Sequence, residues 1–276
     1  MRAIRKMSGQ ISWLAMQLYK PIWGVTMGAV NLQPRPKSAS EQVKEDLACA
    51  YYLLSQLGMD DQTYTHLSAR VPGEDAYYIY PFGLLFKEVT PHNLLKVSLN
   101  GEILEGREET YNKTGYIIHG AIYQNRPEIN AAFHVHTTAG VAVSSMKWGL
   151  LPLSQFSYIF YEAMGTYPYD SLALSPEKQG QDLARALGPH KALLLQNHGT
   201  LTCGVDIPEA FTLLRFLENA CQVQVQALSA GYENLILPDP TVCRQAHKDM
   251  WGFEKNFGHR DFEAYKRSTD FPFDVS

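Results

Sequence analysis

Apolar residues recur at spacings of three and four from Val43 through Leu47, Tyr51 and Leu54 to Leu57. That period places them on one face of a helix. Ser38-Ala39-Ser40-Glu41 ahead of them has the form of a capping box, and Gly58 marks the far end. Further along the period shortens. Residues 76–80 read as a strand and Pro81-Phe82-Gly83 as a turn. Residues 97–99 and 102–104 flank Asn100-Gly101, which predicts a hairpin with a type I′ turn. Thr114 to Asn125 reads as a helix stopped by Pro127, and residues 131–136 as a strand. Ser175-Pro176 opens a helix that Gly188 ends. Residues 192–196 form the short apolar run of a buried strand. Asp206 and Pro208 begin a long helix with Ala210, Leu213, Leu214, Leu217, Cys221, Val225 and Leu228 on one face, terminated by Gly231. After Pro240 the chain turns polar and aromatic, which predicts one helix and a tail.

Irregular alternation of strands and helices, with a hairpin among them, favours a mixed α/β domain with a largely antiparallel sheet over a doubly wound parallel one. No G-x-G-x-x-G or G-x-x-x-x-G-K-[ST] phosphate loop occurs. With 45% apolar and 19% charged residues, the chain is not disordered, collagenous or a coiled coil. A net charge of −4 argues against a nucleic-acid partner. Cys49, Cys203, Cys221 and Cys243 are scattered, which suits reduced thiols in the cytoplasm. Residues 1–40 carry six basic side chains and no acidic one. Lys20-Pro21 interrupts their apolar run, so neither a signal peptide nor a transmembrane segment is expected. An arm packing on the domain or on a neighbouring subunit is the expected reading, with a membrane-surface or targeting segment as the other. The chain thus divides into a basic arm (1–40), a domain (41–238) and a C-terminal extension (239–276).

The candidate chemistry sits in histidines. His134-Val135-His136 lies on an expected strand, where side chains two apart share a face. Such a pair can converge on one ion at about 2.0–2.1 Å, although H-x-H alone is weak. Gln196-Asn197-His198-Gly199 follows the buried-strand run and can supply a third imidazole. Three neutral imidazoles leave coordination positions open, as a catalytic metal requires.

The chain resembles the class II aldolase/adducin family from about residue 41 to 238. The resemblance is carried by Tyr64-Thr-His-Leu-Ser-Ala-Arg70, Tyr80-Pro-Phe-Gly-Leu-Leu-Phe-Lys-Glu-Val-Thr90, His119-Gly-Ala-Ile-Tyr-Gln-Asn-Arg-Pro127, Ala132-Phe-His-Val-His136 and Leu193-Leu-Leu-Gln-Asn-His-Gly199. Residues 143–155 and 220–228 bring it nearest the adducin-head subgroup. The resemblance implies a three-layer α/β/α domain around a largely antiparallel central sheet, and a homotetramer. It also implies a divalent metal on His134, His136 and His198, zinc first and iron as the alternative.

Family aldolases carry a catalytic Glu at the start of the helix before the H-x-H strand, and the matching position here is Gly115. Glycine moves no proton, so an ordinary phosphosugar aldolase is not expected. The positions matching the family's phosphate grip are Lys113, Thr114 and His66. Glu162 is the candidate replacement for the lost acid, and Asn197 the candidate that orients a ligand beside His198. His119 reads as a satisfied core histidine. The expected activity is that of a metal-dependent lyase or epimerase on a small hydroxycarbonyl substrate. The alternatives are a non-haem iron oxygenase-like enzyme and a non-catalytic, adducin-like oligomeric scaffold.

Overall fold

The computed structural model describes residues 35–106 and 109–273. The basic arm lies outside the described residues as far as residue 34. The described residues from Lys37 onward belong to one compact unit. It begins with α1 (Ala39–Gln56), where Ser38 Oγ accepts from Glu41 N–H at 3.2 Å and the Glu41 carboxylate accepts from Ser38 N–H at 2.7 Å. That is the reciprocal cap expected from the sequence.

Strands β1 (His66–Arg70), β2 (Ala76–Ile79), β3 (Leu95–Ser98) and β4 (Ile103–Glu105) form an antiparallel meander. Helix α2 (Lys113–Asn125) leads into β5 (Ala131–Val135). Short helices α3 (Thr138–Ser144) and α4 (Gln155–Tyr158) follow, then β6 (Gly165–Tyr167) and α5 (Gln181–Leu187). The hairpin of β7 (Ala192–Leu195) and β8 (Gly199–Gly204) runs into α6 (Ile207–Leu228). Eight strands join in one sheet, ordered β4-β3-β2-β1-β5-β8-β7-β6, and every pairing is antiparallel except β6 with β7. Helices α2 and α5 touch each other, as do α1 and α6. The fold is the three-layer α/β/α arrangement.

Alternation along β1 and β5 decides what each layer receives. Leu67 and Phe133 are fully buried opposite each other and belong to the main apolar core. Each such side chain contributes roughly 1.5–3 kcal/mol by leaving water. The opposite phase of the same strands carries His66, Ser68 and His134, all buried, toward α2. A polar stripe is thus built into the sheet beside a dry core.

Three sequence readings are corrected. The turn at Asn100-Gly101 is not type I′, because Gly101 is left-handed (φ 87°) and Asn100 is not. The Gly101 N–H closes the turn on Ser98 O at 2.9 Å, giving a longer loop whose glycine alone takes the left-handed position. The segment from Ser175 opens as a π-helical turn (Pro176–Gly180) before α5 begins. The C-terminal extension holds two helices, α7 (Pro240–Phe253) and α8 (His259–Arg267). Phe262 of α8 is fully buried, 5.3 Å from the Phe211 ring of α6. Among the described residues no helix is long and apolar enough to cross a membrane.

Candidate functional site

Strand order places β1, β5 and β8 side by side. Because β5 and β8 are antiparallel, the end of one meets the start of the other, with Val135 opposite Thr200. His136, just past β5, therefore comes against His198, just before β8. The turn between β7 and β8 is tight. Asn197 is left-handed at φ 56°, a conformation that asparagine tolerates better than most residues. A Cβ on Gly199 would stand 2.4 Å from Val135 O, so only glycine lets the two strand ends close up there.

The result is a cluster of imidazoles. His136 Nε2 lies 2.9 Å from His134 Nε2 and 2.9 Å from His198 Nε2. The three form the one group of candidate metal ligands among the described residues, with ligand atoms within 4.8 Å of one another. Two of the outer nitrogens are already engaged. His134 Nδ1–H donates to Thr200 O at 2.9 Å, and His136 Nδ1–H donates to an Asp61 carboxylate oxygen at 3.0 Å. A proton held at Nδ1 leaves Nε2 with a lone pair. Burial, and then the neighbouring imidazoles, push His134 well below the usual histidine range. Burial followed by His136 takes His198 down to about 4. Both rings are therefore neutral and ligand-ready at pH 7.

Asp61 is a neighbour of the cluster that the sequence reading missed. It lies 75 positions from His136, and nothing in its neighbourhood marks it. Its carboxylate fixes the tautomer and ring orientation of a largely buried imidazole, and such an outer partner typically matters 10–100-fold where a histidine holds a metal. Asp61→Asn is expected to weaken divalent-metal binding by about that factor while leaving the urea midpoint nearly unchanged. Competition with a fluorescent chelator measures it, and an unaltered dissociation constant contradicts the role.

Beneath the cluster lies a second buried polar group. The His66 ring is 5.1 Å from the His134 ring, and its Nδ1 is 2.7 Å from His119 Nε2. His119 Nδ1 is 2.6 Å from Ser68 Oγ, which is 2.8 Å from Tyr123 Oη. His119 is fully buried, and desolvation drives it down to about 3. It therefore stays neutral in the folded state while the unfolded chain takes up a proton below about pH 6.5. The folded pKa is depressed, so stability is intact above that value and falls as the pH drops toward 3. His66 shifts the same way through burial and then His119. Chelator-treated protein is expected to lose at least ~1 kcal/mol per pH unit between about pH 6 and 5. A urea midpoint that stays flat across that window contradicts this.

The other anticipated residues are not all brought to the cluster. Glu162 lies in a loop with a left-handed backbone (φ 54°), and its exposed carboxylate pairs with Arg244 of α7 at 3.0 Å. Lys113 is exposed in the first turn of α2. Thr114 N–H and Oγ1–H both donate to Asn112 Oδ1, at 3.1 and 2.8 Å, so this helix start is already capped by its own chain. Asn197 is exposed beside His198. At Gly115 a Cβ would stand 3.1 Å from the His66 ring, so the imidazole occupies the space that a side chain there would enter.

An α/β/α sandwich with imidazoles gathered where its two central antiparallel strands meet is the framework of a class II aldolase-type protein. The sequence pattern described as the Class II Aldolase and Adducin N-terminal domain matches residues 45–225, and the chain belongs to that family. An aldolase II superfamily protein from Pseudomonas syringae is 37% identical, with a TM-score of 0.80 over 85% of this chain and 94% of that one. An L-fuculose 1-phosphate aldolase from Glaciozyma antarctica is 31% identical, with a TM-score of 0.74 over 85% and 92%. Alpha-adducin of Rattus norvegicus is 38% identical over 243 residues, which is 81% of this chain but 32% of that protein.

Proposed function

We propose that residues 41–238 form a divalent-metal-dependent enzyme of lyase or epimerase type, acting on a small hydroxycarbonyl compound, and that it is not an ordinary phosphosugar aldolase. One observation carries the reading. Two Nε2 lone pairs, each fixed by an Nδ1–H bond on the far side of its ring, face each other across 2.9 Å. Facing lone pairs repel, and a cation between them turns that repulsion into ligation. Nitrogens bound to one ion at about 2.0–2.1 Å lie roughly 3.3 Å apart, a few tenths of an ångström wider than the two contacts that His136 makes at 2.9 Å. His134, His136 and His198 would hold the ion, and imidazole donors suit zinc first and iron second. Bound there, it supplies polarisation of a carbonyl or hydroxyl oxygen.

The chain's own residues set the rest. Asp61 and Thr200 hold two of the rings in register. Gly115 contributes no acid. The Asn112 cap spends the Thr114 N–H and hydroxyl at the start of α2, which leaves less for a phosphate than a free helix start would offer. A homotetramer in the cytoplasm completes the reading, supported by the family and by four free, buried thiols. Elemental analysis of protein purified without added metal is expected to find roughly one zinc or iron per chain. Folded protein that neither carries nor takes up a divalent ion overturns the proposal. Efficient cleavage of L-fuculose 1-phosphate overturns the exclusion of phosphosugars.

The match to alpha-adducin favours a second reading, an oligomeric scaffold without chemistry. Metal-free protein that co-sediments with actin filaments is the result that would support it.

A further inference from the structure

The polarity of the buried chain beneath the cluster follows from proton counting. Tyr123 is buried, and Ser68 Oγ is the one acceptor its hydroxyl reaches, because its other contact, the Ala132 backbone, presents a donor N–H. If Ser68 donated to Tyr123, the tyrosine proton would be stranded in the core, which buried hydroxyls avoid. Tyr123 therefore donates to Ser68, and Ser68 donates to His119 Nδ1. His119, neutral, keeps its proton on Nε2 and donates to His66 Nδ1. The His66 proton is thereby forced onto Nε2. That nitrogen has no partner among the described residues, yet it is not one of the sealed, partnerless polar atoms of the core. It lies 3.4 Å from where a Cβ on Gly115 would stand, on a ring that neighbours His134.

We infer that His66 is the specificity residue of this site, a neutral Nε2–H donor locked by Tyr123, Ser68 and His119 at the place where residue 115 would otherwise send a side chain. The inference rests on the metal-site reading for the ligand's position, but not for the direction of the hydrogen-bond chain. A carboxylate projecting from residue 115 accepts hydrogen bonds and takes protons. A fixed N–H does the opposite, and selects a ligand that offers an accepting oxygen, a carbonyl or carboxylate, rather than a hydroxyl awaiting deprotonation. Neutral imidazole is a recognised donor to such oxygens.

Two measurements test this, with glycolate as the probe. In metal-free protein labelled with ¹⁵N-histidine, long-range ¹H–¹⁵N spectra are expected to show His66 protonated at Nε2 and bare at Nδ1. The His66→Gln variant identifies its signals. Protonation at Nδ1 overturns the inference, whatever the metal content. In metal-loaded protein, His66→Phe is expected to weaken glycolate binding by about 10-fold at unchanged metal stoichiometry, with His66→Gln restoring most of it through its amide N–H. Tyr123→Phe, which removes the first proton donor, is expected to lie between them. Equal glycolate affinity in wild type and His66→Phe overturns the role. Should the wild type bind no metal, the function proposed above fails, and the tautomer measurement still decides the direction of the chain.

Discussion

Replacing His134 and His136 together by alanine is expected to abolish divalent-metal binding and leave a folded protein. The two rings supply two of three converging Nε2 atoms, and His198 alone cannot hold an ion tightly. The loss should exceed the roughly 10–100-fold that removal of an outer partner costs. Stability separates into two terms. Metal binding stabilises the native state by mass action, about 2.7 kcal/mol when free metal is 100 times its dissociation constant. Chelator should therefore lower the wild-type melting temperature and leave the double variant unmoved. The variant also loses a fully buried ring at position 134, so its midpoint falls below that of metal-free wild type by a cavity term. Metal content by elemental analysis, with and without chelator, reads the first effect. Unchanged content in the double variant would refute the ligand assignment.

Introducing the family's acid by Gly115→Glu is expected to destabilise the protein by about 1–3 kcal/mol, because the new side chain overpacks a filled space. Its Cβ meets three His66 ring atoms at 3.1 to 3.4 Å. The imidazole cannot step aside cheaply, since its Nδ1 is tied to His119 and its residue pairs with His134 across the sheet. Removing a glycine from the first turn of α2 returns at most about 1 kcal/mol. In a His66→Asn background the obstruction shrinks, and the same substitution should cost much less. A double-mutant cycle on urea midpoints measures the coupling, which for residues in contact runs about 0.5–3 kcal/mol. Equal costs in the two backgrounds would show that positions 66 and 115 are independent. Coupling of the expected sign would mean that loss of the acid and arrival of the imidazole are one structural change.

Much of the frame is legible in the chain. The cap at Ser38 and the cap at Asp206, which accepts from Glu209 N–H at 3.0 Å, follow local rules of charge and hydrogen bonding. The apolar periods of α1 and α6 and the buried run of β7 follow from burial on one face or two. Strand β1 escaped the pattern because its inward polar phase, His66 and Ser68, reads as hydrophilic while both side chains are buried. The N-terminal turn of α5 and the Asn100-Gly101 loop departed from expectation because each hangs on one or two backbone angles.

What the sequence determined by itself was local: helix faces, caps, the shared face of His134 and His136, and the glycine where the family has an acid. The tertiary structure alone decided which distant groups meet, because pairing between β1, β5 and β8 joins residues that no local rule couples. Asp61 behind His136, Thr200 behind His134, and the line from Tyr123 to His66 exist only once the sheet has closed. Their hydrogen bonds act over 3 Å in space and over 50 to 75 positions in the chain, a separation at which sequence patterning carries no signal.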